Sequence, residues 1–195
     1  MAALTTGFTS ASLGGMKSLP TMLASAALLL TTSLTVPAAD APTEFTAGAL
    51  KFTRPTSWVW VPTTSPMRKA ELKVEDKEQK SAAEVVFFHF GTGQGGDVKA
   101  NVERWYGQFS DGRDKINARS EDKSANGRKI TYVFAEGTYL SGPPMGQKTP
   151  MKDHALVGAI VEDGGGNVFI KMTGPKTLTK SAEAEFRKMV EGAKN

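Results

Sequence analysis

The chain has 195 residues, 39% of them hydrophobic and 23% charged, with 24 Lys and Arg against 20 Asp and Glu. That length suits one domain, and those fractions describe an ordinary globular protein, not a disordered, collagen-like or disulfide-framed one. With no cysteine, thiolate zinc sites, iron–sulfur clusters, thiol nucleophiles and disulfides are all excluded, and two histidines leave little for a His-rich metal site.

The first 39 residues stand apart, carrying Lys17 and no other charge. Met22 to Leu34 is apolar, and Val36-Pro37-Ala38 places small residues where a signal peptidase reads. This is the grammar of a secretory signal peptide over residues 1–39, cleaved near Ala38 or Ala39. The run is short for a membrane span, which takes about 20 mainly apolar residues, so no stable span is expected after cleavage. An uncleaved N-terminal anchor is the alternative. No cysteine follows the run, which excludes a bacterial lipid anchor. Because Lys17 directly follows Met16, translation is expected to start at Met16 and not Met1.

Removing the leader leaves 195 − 39 = 156 residues, with 24 − 1 = 23 basic and 20 acidic side chains, about +3. Nucleic-acid binding calls for a clustered basic patch. The densest basic stretch, Arg68 to Lys77, alternates in sign and predicts a solvated strand edge and turn, so no nucleic-acid partner is expected.

Residues 40–48 read as a linker and 49–195 as one domain. Leu50-Lys-Phe52 alternates, as does Trp58-Val-Trp60 until Pro62 and Pro66 end it. Ala70-Glu-Leu72-Lys-Val74 predicts a half-buried strand. Glu84 to Phe90 is apolar on both faces and predicts a central, doubly covered strand. Gly91 to Gly96 breaks it, and Asp97 can cap a helix running to about Ser110. Val98, Val102, Trp105 and Phe109 would form its buried stripe, with Gly107 in its interior.

Residues 111–127 are polar, with a short strand expected near Ile116 to Arg119 and with Glu121 and Asp122 in a turn. Asn126-Gly127 is a hairpin-turn signal. Lys129 to Leu140 follows as a long strand. Ser141 to Lys152, with three prolines and two glycines, predicts the longest loop. His154 to Val161 and Val168 to Met172 pair across Asp163-Gly-Gly-Gly-Asn167. Ser181 opens a last helix with Ala182, Phe186, Met189 and Val190 inward, and Glu183 and Glu185 in its first turn. The fold class is α+β: a mostly antiparallel sheet flanked by helices.

Gly91-Thr-Gly93-Gln-Gly-Gly96 satisfies G-x-G-x-x-G between a strand and a helix. It follows the wrong strand of the domain for a dinucleotide site, and a hairpin follows where a second parallel strand is needed. No Gly-Lys-Ser/Thr follows, so it is not a P-loop. The bland account is a tight turn needing positive φ. The sharper one is a weak anion site at the helix start, assisted by Lys99. Asn101, Arg104 and Gln108 form a polar stripe on that helix, either a solvated face or a recognition face continuous with the turn. The candidate ligand-binding residues are therefore Gly93, Gln94, Gly95, Gly96, Asn101 and Arg104.

No catalytic residue, metal site or cofactor is assigned. A metal site would need His89 and His154 to converge with a carboxylate such as Asp97 or Asp153. No Gly-x-Ser-x-Gly elbow is present. Trp58 and Trp60 read as core in preference to a sugar platform. The favoured function is a non-enzymatic exported domain binding an envelope component, a protein or a small ligand, on a surface that includes loop 141–152. The alternative is a hydrolytic or metal-assisted enzyme, which would need convergent titratable groups in a cleft.

Pro55-Thr-Ser-Trp58, the segment Asn101-Val-Glu-Arg-Trp105-Tyr-Gly-Gln108, and Gly158 to Pro175 with its following helix resemble the PsbP-like superfamily. That group takes in extrinsic lumenal proteins of photosystem II, a small Ran-binding import factor and exported bacterial relatives of unknown role. The resemblance spans most of residues 45–193 and implies an antiparallel sheet between helices, an α/β/α sandwich. The glycine turn departs from the better-known members, so neither photosystem nor Ran binding is implied, and no functional residue is carried over.

Overall fold

The computed structural model describes residues 41–143 and 145–195; the leader and its cleavage point lie outside them. Strand β1 (Glu44–Ala47) turns through Gly48 into β2 (Leu50–Thr53), and the two pair antiparallel. The expected linker 40–48 thus carries a strand. Two apolar residues are too few to reveal a period, but Phe45 and Ala47 are both buried. Phe45 stacks on Phe52 at 5.6 Å and meets the Phe87 ring edge-on at 4.8 Å.

Strands β3 (Val59–Trp60), β4 (Arg68–Asp76) and β5 (Ser81–His89) follow, then α1 (Val98–Tyr106). Next come β6 (Arg119–Ala125), β7 (Arg128–Ser141), β8 (Thr149–Val161), β9 (Val168–Pro175) and α2 (Lys176–Glu191). Seven strands form one sheet in the order β3-β4-β5-β9-β8-β7-β6, every neighbour antiparallel. This is the expected α+β architecture.

Successive strand residues face opposite sides, and the two cores follow that parity. Ile130, Tyr132 and Phe134 of β7 and Val157 and Ala159 of β8 pack with Phe186, Met189 and Val190 of α2. The intervening Val133, Leu156 and Ile160 pack with Val102, Trp105 and Tyr106 of α1. The helices therefore cover opposite faces. Trp58 is buried on the α2 side, where its indole N–H donates to Glu185 at 2.9 Å, and Trp60 lies 5.5 Å from Phe45. Both tryptophans belong to the core.

Several boundaries differ from expectation. β5 is an interior strand, with Val85, Val86 and Phe87 buried in succession, but β9 is the middle one. Helix α1 stops at Tyr106; Gly107 is its C-terminal cap, with its N–H on the Glu103 and Trp105 carbonyls, and Phe109 lies beyond the helix. β6 includes Glu121 and Asp122. Exposed along nearly its whole length, it carries no apolar alternation to read, and the Asn126-Gly127 turn sets its pairing to β7.

β8 begins at Thr149, which shortens the Pro-rich loop to 142–148. Pro150 is tolerated because β9 pairs with β8 only from His154 onward; the missing N–H interrupts no second ladder. Helix α2 starts at Lys176, straight out of β9, with no side-chain cap. Ser181 therefore lies inside it, and Glu183 and Glu185 sit beyond the first turn, where the dipole acts weakly.

Candidate functional site

Four glycines of the β5–α1 turn, Gly91, Gly93, Gly95 and Gly96, adopt φ of 94°, 70°, 88° and 81°. That backbone explains the glycine run without a nucleotide. Asn101 fastens it. Its side chain is 4% exposed, and Nδ2 donates to the carbonyls of Gly95 at 2.8 Å and Asp97 at 2.9 Å. Its Oδ1 accepts from Arg104 Nη1 at 2.7 Å. The Asn101 amide is thus committed within the protein.

A groove of about 320 Å³ separates this turn from the β8–β9 loop, lined by Gly93, Gln94, Gly96, Asp97 and Asp163 among others. Asp97 Oδ1 already accepts from Ala100 N at 2.8 Å, capping the helix. The Gly165 N–H and Arg128 hold the Asp163 carboxyl below its ordinary range. Asp163 is paired with Arg128 at 3.1 Å, and Asp97 is engaged as the helix cap, so both carboxylates of the groove already have partners within the protein.

Arg104 instead lines a larger cleft of about 890 Å³ on the α1 side of the sheet. One wall is the β3–β4 connection, with Val61 and Met67. The opposite wall is formed by Leu140, Gly142, Pro143 and Lys148. Arg68, Glu71, Phe88 and Lys171 reach it from the strands.

Lys171 is half-buried on β9. Its Nζ donates to Gln108 Oε1 at 3.0 Å and to the Tyr139 hydroxyl at 3.1 Å, and that hydroxyl donates to Gln108 Oε1 at 3.1 Å. The chain exit of α1 fixes these groups. Ser110 N bonds Thr138 O, Leu140 N bonds Gln108 O, and Phe109 meets the Tyr139 ring edge-on at 5.5 Å. Below this bracket β8 bulges: two steps on β7, Gly137 to Tyr139, match three on β8, His154 to Met151, with Asp153 at φ 52°.

Charge in the cleft is uneven. Arg68 bridges Glu71 at 2.5 Å and Glu84 at 2.7 Å. Partial burial works against its charge, but the two carboxylates outweigh this and raise its pKa. Among the described residues no carboxylate lies within 4.0 Å of Arg104, Lys148 or Lys171, while Lys148 bonds the Gly142 and Pro143 carbonyls. Sequence reasoning named Arg104 and missed Lys171. The available signal was a single lysine inside the apolar run of β9.

The histidines do not meet. In register His89 faces Val168 and His154 faces Pro175, opposite ends of β9. At about 3.4 Å per residue the seven steps along β9 place them roughly 24 Å apart. His89 Nε2 lies 3.2 Å from Gly165 O, and His154 Nδ1 lies 2.8 Å from Lys152 O. Neither approaches a shared carboxylate.

A further charged cluster ties α2 to the sheet. Glu136 on β7 receives Lys180 at 2.7 Å, Lys176 at 3.1 Å and Asn117 Nδ2 at 2.7 Å. The Lys180 ammonium, more than offsetting partial burial, pushes the carboxyl down to about 2.

No family model matches the chain. No curated protein matches it either. The chain resembles cyanobacterial PsbP. The similarity is to the solved PsbP (CyanoP) of Synechocystis, 11% identical, covering 83% of this chain and 98% of that one with a TM-score of 0.49. That likeness is one of backbone architecture, and no residue role is taken from it.

Proposed function

We propose that the chain is an exported, non-enzymatic binding domain, with residues 1–39 as its leader and the α1-side cleft as its recognition surface. The observation that carries this is the cleft itself. At about 890 Å³ it matches the size of small-ligand sites, and it combines apolar walls with a few fixed polar groups. Arg104, picked out in the sequence, borders it, as do Gly142, Pro143 and Lys148 of the Pro-rich segment. The glycine turn supports it from behind, through the hydrogen bond from Arg104 to Asn101. An enzyme reading has less support, because His89 and His154 stand at opposite ends of β9.

A thermal-shift screen against phosphates, nucleotides, carboxylates, sugars and metal ions tests the proposal, followed by NMR mapping of any hit. A ligand at 100 times its Kd raises stability by about 2.7 kcal/mol. Amide shifts should centre on Phe88, Gln108 and Tyr139. Shifts confined to residues 91–96 and 163–167 would move the site to the glycine groove and sink this reading.

A further inference from the structure

We propose that the cleft holds its ligand by an oxyanion, a carboxylate or phosphate group, seated between Lys171 and Arg104. This rests on the cleft being the recognition surface and adds the chemistry of what it recognises.

The case begins with where Lys171 stands. It lies on the middle strand of the sheet, between Val86 of β5 and Gly158 of β8 in register, and is half-buried. Lysines in such places usually pair with a carboxylate, since burying an ammonium without one is costly. Here both partners are neutral. Gln108 Oε1 and the Tyr139 hydroxyl take two of the three donors an ammonium carries. Among the described residues no carboxylate lies within 4.0 Å to compensate the charge, and one donor is left unassigned. Because Gln108 and Tyr139 also bond each other, the ammonium is held in place before any ligand arrives. That is preorganisation, which lowers the cost of binding.

Arg104, in the last turn of α1, spends one guanidinium nitrogen on Asn101, which leaves its other donors free of that bond. Arg68 is already neutralised by Glu71 and Glu84. With Arg68 so paired, the cleft lining keeps three cations, Arg104, Lys148 and Lys171, that have no carboxylate within 4.0 Å among the described residues. Concentrated in a concavity, like charge focuses the field on an incoming anion. Val61, Met67, Phe88 and Leu140 supply apolar surface for the rest of the ligand.

The test is titration of the purified full chain with inorganic phosphate, citrate and neutral glucose at constant ionic strength, followed by Tm and NMR. Phosphate or citrate should raise Tm in the wild type, and which one acts separates the phosphate source from the carboxylate source. Lys171→Met and Arg104→Gln should each weaken binding about tenfold or more, the scale of a lost charge-assisted hydrogen bond, whereas Lys171→Arg should retain part of it. Gln94→Ala, in the other groove, should bind like wild type. If Lys171→Met fails to fold, the exposed Arg104→Gln decides the matter. Anion affinity unchanged in Arg104→Gln and in folded Lys171→Met would overturn the proposal. So would a neutral ligand mapping to the cleft with neither anion binding, an outcome that leaves the cleft standing as the recognition surface. Binding mapped elsewhere removes both.

Discussion

The Trp105 indole of α1 rests on Gly158 of β8 so closely that a β-carbon at 158 would lie 2.2 Å from the ring's Cζ3. One missing side chain therefore sets the height of α1 above the sheet. Gly158→Ala forces the helix outward or the indole off its rotamer, and overpacking of this kind costs about 1–3 kcal/mol. Denaturant unfolding should show that loss. Since α1 carries Arg104 and leads directly into Gln108, the same variant should also shift the amide resonances of Tyr139 and Lys171.

Asn101 tests whether the glycine turn is a fastened element or a recognition loop. Asn101→Ala leaves the Gly95 carbonyl without its side-chain donor and the Asp97 carbonyl with only the residue-101 backbone N–H at 3.2 Å, at a cost of about 1–3 kcal/mol. Hydrogen exchange at residues 92–97 should quicken. A variant of unchanged stability would mean that the amide holds nothing.

Glu136 makes acid stability predictable in sign. Its folded carboxyl is pushed down to about 2, against an ordinary 4.5. A depressed acid stabilises the fold above its unfolded value and loses that contribution as pH falls toward the folded one. Stability should therefore decline between about pH 4.5 and pH 2, and Glu136→Gln should be less stable at pH 7 with a shallower acid decline. Urea midpoints at pH 7, 4 and 3 give the comparison. Parallel curves for the two proteins would refute the assignment.

Phe45 lies where a linker was expected. Its ring meets Phe52, Trp60 and Phe87, and truncating a buried phenylalanine costs about 3–5 kcal/mol. Phe45→Ala should lower the unfolding midpoint by that scale. An unchanged midpoint would return residues 40–48 to linker status.

What was legible in the sequence was the part built on periodicity. The strands β4, β7 and β8–β9, the Asn126-Gly127 turn and the inner face of α2 all announce themselves by alternation or by helical spacing. β6 was illegible because an exposed strand has no apolar rhythm, and β1 because two residues make no period. The start of α2 was hidden by the absence of a capping side chain. At the candidate site, Arg104 was visible as part of a stripe. Gln108 was visible in the same stripe, but Lys171 and Tyr139 were not, because the triangle they form with it joins three elements that only the antiparallel order of β7, β8 and β9 brings together.

The two margins of the sheet bear on how the protein meets others. An unpaired strand edge invites addition of another chain's strand. On β6 that edge carries Arg119, Glu121, Asp122 and Lys123, three of them tied in ion pairs to side chains of α2 or β7. On the far side β3 is two residues long. One border is guarded by fixed charge and the other by brevity, so a partner has little backbone to extend. Association by shared sheet is discouraged at both borders, and contact with another molecule is left to the faces, where side chains and not main chain do the selecting.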